Sequence, residues 1–265
     1  MSNLIFGKYI PYNSLIHNAD PRAKIIALFF LMIAIFIPAG WYGYLFLSIV
    51  LIIAALVSHI KAKMIIQAFK PMLFMMVFLL VINIFSVKTG TLWFEYGFIS
   101  IYADAVINTL YIAVRLVLMI MLTTLLTATT KPLELTLGLE YLMSPLSSFI
   151  PSHEIAMMIS IALRFIPTII EETMRIMNAQ KSRGVDFEEG KLKEKVTAIL
   201  SLIIPLFSVA FQRADDLADA MEARGYCPGE ERTRYKELHY HVADYLIMGI
   251  SLLCLAANIG ISFLL

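Results

Sequence analysis

Residues 102–127 read YADAVINTLYIAVRLVLMIMLTTLLT, an apolar stretch whose only basic residue, Arg115, stands in its middle. The hydrocarbon core of a bilayer is about 30 Å thick, and roughly 20 residues of α-helix cross it. The stretch therefore predicts a transmembrane helix. A charge facing lipid is costly, so we expect Arg115 to pair inside a helix bundle rather than to line an ion path.

Four other stretches are apolar enough to cross a bilayer or nearly so, namely 25–40, 44–57, 71–87 and 245–265. The first is short, and we expect Trp41 and Tyr42, in a turn over 38–43, to anchor it at the interface. Of the 265 residues 60% are hydrophobic and 15% are charged, and the mean hydropathy is +0.80. This composition excludes an ordinary water-soluble domain. We predict an all-α, multi-pass membrane protein with about five transmembrane helices plus long cytoplasmic helices.

Lysine and arginine residues are distributed unevenly between the two sides of these spans. Of the 21, only Lys88 and Arg115 fall outside the segments that we predict to be inside. Cytoplasmic loops carry an excess of basic residues, so the N-terminus and residues 128–243 are predicted to be cytoplasmic. The chain is thus divided into a membrane region with four spans (1–127), a cytoplasmic or interfacial arm (128–243) and a C-terminal transmembrane helix (244–265).

Two long amphipathic helices dominate the predicted arm, over 154–182 and about 192–223. Polar and apolar residues recur in steps of three and four, which places them on opposite helix faces. Pro167 and Pro205 are expected to bend the two helices. The pair could simply pack together on the surface. We favour a second interpretation, in which the helices lie along the membrane and their apolar faces meet lipid or another membrane protein.

Both helices end alike, at Ser182-Arg183-Gly184 and at Ala223-Arg224-Gly225. Ordinary helix-stop chemistry explains such an end, since glycine takes the left-handed position and a basic side chain favours the negative end of the helix dipole. Its repetition favours a paired docking device. Such a device suits a partner with two similar sockets, such as an ATPase dimer.

The sequence contains no convincing set of catalytic, nucleotide-binding or metal-binding residues. Residues 184–191 resemble a P-loop, but the spacing is one residue too long and Leu192 replaces the magnesium-binding hydroxyl. The five histidines lie in predicted loops or at helix ends, so we predict no metal site and no cofactor. Glu171, Glu172 and Arg175 approach the pattern of a membrane-embedded protease with one spacer missing, and an ion pair between Glu171 and Arg175 is expected instead.

Residues 17–24, HNADPRAK, complete a set of motifs that resembles the transmembrane T component of energy-coupling factor (ECF) transporters, a CbiQ-like family. The segment is similar to the family's entry motif, carried by Asp20, Pro21, Arg22 and Lys24. We expect Asp20 to cap the first spanning helix and Pro21 to open it. The two arginine-glycine ends resemble the family's paired signature, and the resemblance covers essentially the whole chain.

The resemblance implies a scaffold in the bacterial cell membrane that performs no chemistry of its own. Residues 182–184 and 223–225 would bind two ABC-type ATPase subunits, EcfA and EcfA'. The long helices, called coupling helices, would carry ATP-driven motion to a membrane-embedded S component that binds a vitamin or other micronutrient. Its contact face would include Ile159, Ile166, Ile203 and Phe207. No nucleic-acid partner is implied.

Two other classes of function stay open at this point. An intramembrane hydrolase would show activity without an ATPase partner. A permease with its own substrate path would bind substrate as an isolated chain. The cargo also stays open, since neither a vitamin nor a metal ion is indicated by the residues in the predicted spans.

Overall fold

A computed structural model describes residues 12, 14–96, 99–146, 152–187, 191–227 and 238–264. Within these ranges the chain is almost entirely helical. It divides into two compact units, one formed by Met1–Leu142 with Leu238–Leu265 and the other by Met143–Glu237. We call them the base and the arm.

The described elements, in chain order, are α1 (Leu15–Asn18), α2 (Pro21–Phe36), α3 (Gly40–Val57), α4 (Ala62–Ser86), β1 (Leu92–Tyr96), β2 (Ile99–Tyr102), α5 (Ala103–Thr129), α6 (Pro132–Met143), a short 3-10 turn (Ser144–Leu146), α7 (Ser152–Ser182), α8 (Leu192–Ala223) and α9 (Val242–Leu264).

Six of these helices, α3, α4, α5, α7, α8 and α9, are long and apolar enough to cross a membrane. The prediction of an all-α, multi-pass membrane protein is confirmed. The short helix α2 has 16 residues, which span about 24 Å at 1.5 Å per residue. It nevertheless belongs to the base, where its small residues Ala23, Ala27 and Ala34 are buried and where it packs most extensively on α9.

The apolar stretches placed the starts of the second and third spans too late, whereas the predicted start of the first helix at Pro21 is confirmed. Helix α2 begins at Pro21, four residues before the apolar stretch, because the Asp20 cap and Pro21 start it there. The predicted turn over 38–43 is shorter, since α3 begins at Gly40 and includes Trp41 and Tyr42. Helix α4 begins at Ala62 and continues through Pro71, because a proline removes one backbone hydrogen bond without always ending a helix.

Two features between and after the spans were not predicted. The strands β1 and β2 form an antiparallel hairpin, with Leu92 opposite Tyr102 and Glu95 opposite Ser100. Its β-branched and aromatic residues favour strands, but the run is too short for a confident pattern. Helix α6 was also missed.

The core of the base is formed by α2, α3, α5 and α9. Fully buried side chains include Ile35, Tyr44, Leu47 and Leu51, and they pack with other core residues of α5 and α9, namely Leu118, Met121, Leu122 and Cys254. By contrast α4 has no buried residue.

A buried asparagine completes the end of α2. Pro38 has no N–H, so it cannot donate to the carbonyl of Ala34 four residues earlier. The amide of Asn258, on α9, donates to that carbonyl at 2.8 Å. Asn258 is completely buried and lies so close to α3 that a side chain at Gly43 would collide with it. Side chains of a neighbouring helix thus replace the backbone donor that α2 lacks.

Candidate functional site

The end of α7 closes in a Schellman motif built on the predicted Ser182-Arg183-Gly184 sequence. Gly184 has a φ of +87°, and its N–H donates to the carbonyl of Lys181 at 3.0 Å. The next N–H, of Val185, reaches back to the carbonyl of Gln180 at 3.1 Å. This pair of bonds satisfies carbonyls that the helix end leaves free.

The end of α8 repeats this geometry bond for bond. Gly225 has a φ of +71° and donates to Glu222 at 2.8 Å, while Tyr226 donates to Met221 at 3.0 Å. The residues after the glycines, Val185 and Tyr226, are half-buried. These two positions were not predicted as part of the motif, although an apolar residue directly after the glycine is part of the Schellman pattern.

The two arginines, Arg183 and Arg224, stand at matching positions, one residue before each glycine, and both are exposed. Among the residues that the structure describes, neither guanidinium has a side-chain hydrogen bond or ion pair. With respect to the described residues, each guanidinium therefore keeps its full set of planar donors for another acceptor.

The two ends point in opposite directions because α7 and α8 are antiparallel. Gln180 donates to the carbonyl of Ser201 at 3.2 Å, whereas the earlier Glu172 lies 3.9 Å from the later Arg213. The end of α7 thus lies near Ser201, which precedes Arg224 by about 35 Å of helix at 1.5 Å per residue.

The Glu172 contacts also correct the ion pair expected between Glu171 and Arg175. Arg175 instead lies 3.3 Å from Glu172. Glu172 faces α8, and its carboxylate also pairs with Arg213 of that helix. Glu171 is exposed. The ion pair therefore belongs to the packing of the two helices.

Two of the four residues predicted to form the apolar contact face are exposed, and the other two are half-buried. Phe207 is 60% exposed and Ile159 is 38% exposed, whereas Ile166 and Ile203 are half-buried. The described part of α8 carries a longer exposed stripe than the sequence analysis proposed, formed by Leu192, Val196, Leu200, Ile204, Phe207 and Phe211. Their steps of three and four already place them on one helix face, so the sequence contained this signal.

The N-terminal motif forms a cap at the start of α2. Asp20 accepts a hydrogen bond from the N–H of Arg22 at 2.9 Å, and Pro21 opens the helix. The expected cap is confirmed. Lys24 is buried, and its ammonium group donates to the carbonyls of His17 at 3.0 Å and Thr129 at 3.2 Å.

Arg115 has a polar partner inside the base. Its Nε donates to the hydroxyl of Tyr44 at 2.7 Å, and its guanidinium lies over the rings of Phe36 and Tyr111 at 5.8 and 5.6 Å. Aromatic faces attract a cation, which accounts for the position of this charge among apolar helices. The expected pairing within the bundle is confirmed.

In the part of the chain that the structure describes, no group of three or more His, Cys, Asp and Glu side chains is placed to hold a metal ion. Two described histidines have local contacts within the base. Ser14 Oγ lies 2.7 Å from Nδ1 of His17, and His241 Nδ1 lies 3.8 Å from the carboxylate of Asp244. Residues 188–190 of the P-loop-like segment lie outside the described residues.

Comparison with known proteins agrees with these features. A model of the CbiQ family, described as cobalt transport protein, matches residues 12–235. The chain belongs to the CbiQ family. An energy-coupling factor transporter transmembrane protein, EcfT, of Ruminiclostridium cellulolyticum is 46% identical to it over 250 residues, which cover 94% of this chain and 93% of the relative. EcfT of Bacillus subtilis is 42% identical over 258 residues, covering 97% of both chains.

The similarity extends over nearly the whole length of this CbiQ-family chain, so it includes the base as well as both arginine-glycine ends. It confirms the family resemblance carried by the motifs. The chain is a membrane component of a transporter and not itself an enzyme.

Proposed function

We propose that the chain is the transmembrane scaffold of an ECF-type ABC importer. It couples ATP hydrolysis by two partner ATPase subunits, EcfA and EcfA', to uptake of a vitamin or other micronutrient through a substrate-binding S component. The observation that carries the proposal is the pair of identical Schellman ends, each presenting one exposed arginine. Two equivalent helix ends, about 35 Å apart along the antiparallel helices, suit a partner that is itself a pair of similar subunits.

The chemistry of the two exposed arginines suits a rigid, polar binding site on each ATPase subunit. A guanidinium is planar and always charged, and it forms several hydrogen bonds at once. Because the Schellman bonds fix the backbone on both sides of Arg183 and Arg224, each side chain starts from a defined position. The energy of docking is then not reduced by ordering a flexible loop.

The exposed stripe of α8, together with Ile159 and Met158 of α7, supports a contact with a second membrane protein. Half-buried Ile166 and Ile203 extend this face. Methionines on α7, such as Met158 and Met174, repack easily and suit a surface that meets different partners. We propose that this face binds the S component.

The proposed orientation places the N-terminus and the segment 128–243 on the cytoplasmic side, where ATP is available. The proposed functional division is then 1–127 and 244–265 in the bacterial cell membrane and 128–243 as a cytoplasmic coupling segment, which contains α6 as well as the arm. The cytoplasmic excess of basic residues supports this orientation.

We predict that Arg183→Ala or Arg224→Ala weakens attachment of the ATPases and that the double variant nearly abolishes it. Each lost charge-assisted contact contributes about 1.5–3 kcal/mol, or roughly a ten- to hundredfold loss of affinity. The measurement is co-purification with the full-length chain, with the bound ABC ATPases identified and quantified by mass spectrometry.

Arg175→Ala is the matched control, since the side chain of Arg175 is 77% exposed on the same helix and lies about two turns before its end, outside the Schellman motif. It should retain both ATPases. Wild-type recovery of both ATPases by the double variant would refute docking through these arginines.

A further inference from the structure

The base is interrupted by the arm, so the chain leaves it at one point and returns at another. It leaves after Leu142, at the end of α6, and returns at Leu238. One side chain contacts both connections. The guanidinium of Arg22 lies over the ring of Tyr141 at 4.8 Å and over the ring of Tyr240 at 4.2 Å. It also donates to the carbonyl of Leu238 at 2.7 Å.

Arg22 is itself held firmly in place. Its Nε and Nη2 donate to the two carboxylate oxygens of Asp20 at 3.1 and 2.9 Å, and its side chain is only 12% exposed. Such a two-point pair fixes the plane of the guanidinium as well as its position. The rings of Tyr141 and Tyr240 therefore both contact a guanidinium group whose orientation is fixed by Asp20.

The same carboxylate network reaches the first turn of α9. The N–H of Asp20 donates to Asp244 Oδ1 at 2.7 Å, and Asp244 Oδ2 accepts the N–H of His241 at 2.7 Å. Asp244 is completely buried. The returning chain is thus fixed to the start of α2 at Leu238, Tyr240 and His241.

The departing helix α6 is fixed to the same place by close backbone packing. A Cβ added at Gly138 would lie 3.1 Å from Cβ of Pro21 and 3.2 Å from the backbone nitrogen of Arg22. A side chain at this position would require the start of α2 or α6 to shift by a few tenths of an ångström, so glycine favours this close approach. The start of α2, the end of α6 and the loop before α9 therefore meet at Arg22.

We propose that Arg22 is a positioning residue that fastens both ends of the segment 143–237 to the start of α2. Neither the departing nor the returning connection can shift without losing its ring contact with Arg22 or distorting the hydrogen bonds between Asp20 and Arg22. Its consequence for transport rests on the proposed function: motion imposed on the arm by ATPases reaches the base through two connections that are tied to one point. A lysine cannot replace Arg22, because it lacks the planar fork that stacks on two rings.

The test uses the full-length chain in lipid nanodiscs with a Cys227→Ser background. Spin labels are placed at Leu133→Cys on α6 and Val242→Cys on α9, two positions that are 48% and 78% exposed. Double electron-electron resonance spectroscopy then measures the distribution of distances between the two labels, and so between the departing and returning connections. We expect one narrow distribution in the reference protein and a loss of that narrow distribution in Tyr141→Ala and in Tyr240→Ala.

Matched controls are Tyr141→Phe and Tyr240→Phe, which keep the aromatic face and should keep the narrow distribution. Arg22→Lys keeps the charge beside Asp20 and should broaden the distribution, and it decides the question if the alanine variants do not fold. An unchanged distribution in all folded alanine and lysine variants would overturn the proposal.

A second measurement separates this proposal from the proposed function. ATPases that co-purify with the chain should be retained by Tyr240→Ala and should hydrolyse ATP within about twofold of the reference rate, since the ring lies outside the docking ends and its stacking contributes only modestly to the fold. Absence of ATPases from the reference protein would refute the proposed function, while the label distances in the isolated chain would still decide the role of Arg22. Loss of both ATPases together with an unchanged label distance in Tyr240→Ala would overturn the positioning role.

Discussion

At the scale of single residues, the glycine and the arginine before it have different roles at each of the two helix ends. Gly184 and Gly225 turn the backbone through positive φ angles of +87° and +71°. The arginine before each glycine is exposed, and no side-chain hydrogen bond or ion pair joins it to the described residues. No atom of the described residues lies within 4 Å of a Cβ added at either glycine, so it is the left-handed backbone that requires glycine there.

We expect Gly184→Ala and Gly225→Ala to destabilise the helix ends by about 1 kcal/mol each, because a side chain in the left-handed region is strained. Asparagine tolerates this region better, so the Asn variants should recover much of the loss. Circular dichroism during thermal unfolding in detergent measures the effect, and co-purification of ATPases reports whether the arginine has moved.

Gly249→Ala and Gly260→Ala are suitable controls, since both glycines lie inside α9, have no positive φ and have no atom within 4 Å of an added Cβ. They should be neutral or stabilising. If the cap variants behaved like these controls, the strained-cap explanation would be wrong.

At the scale of elements, α8 serves two purposes on different faces. Its contacts with α7 run through Ser201 and Arg213. Its stripe of large apolar side chains is exposed, and Phe207 stacks on Phe211 with ring centroids 6.2 Å apart. An exposed apolar surface of this extent is typical of an interface with lipid or with another protein.

We predict that Ile204→Glu, Phe207→Glu and Phe211→Glu separate the two proposed partners. A buried carboxylate is costly in an apolar interface, so binding of the S component should fail while both ATPases stay attached. A paired pull-down of ATPases and S component measures this for each variant. Ile203 is a poorer test site, because it is half-buried.

Ala198→Glu serves as the unfolding control, because Ala198 is only 5% exposed and a charge there should release both partners. The competing interpretation is that the apolar face only holds α7 and α8 together. It would be supported if the three variants on the exposed stripe also lost both partners.

At the scale of the whole molecule, the proposed function depends on which side of the membrane each segment faces. Helices α7 and α8 are long and apolar enough to span a bilayer, yet their ends carry the proposed ATPase contacts. The distribution of basic residues predicts a cytoplasmic arm, and labelling can test this prediction.

In a Cys227→Ser background, Thr91→Cys and Phe263→Cys should react with an impermeant label added outside, while Ser182→Cys should not. All three positions are exposed. Gly90 is unsuitable for this purpose because its φ is +92° and the carboxylate of Asp104 lies 2.6 Å from an added Cβ. Gly190 and Leu265 would also test the two sides of the membrane, but they lie outside the described residues.

Reaction after the membrane is opened with detergent is the control that Ser182→Cys can be labelled at all. Labelling of Ser182→Cys from outside in sealed vesicles would reverse the orientation. It would also remove the arm from the compartment that contains ATP.

Much of this protein follows from local sequence patterns. The apolar runs and their steps of three and four predicted the long helices, and α8 matches its predicted extent of 192–223. Asp20, Pro21 and the two arginine-glycine ends were also identified correctly as helix boundaries, because capping depends on residues that are neighbours along the chain. The short hairpin and α6 were missed, since short elements depend more on their surroundings than on their own pattern.

Only the tertiary structure decided which distant polar groups meet. Arg22 contacts Leu238 across 216 residues, and Asn258 contacts Ala34 across 224 residues. A polar group buried among apolar helices must find a partner, but the sequence does not say which of many candidates is near. That choice is made when the helices pack, because the same apolar surfaces permit many arrangements and only one brings these donors to these acceptors.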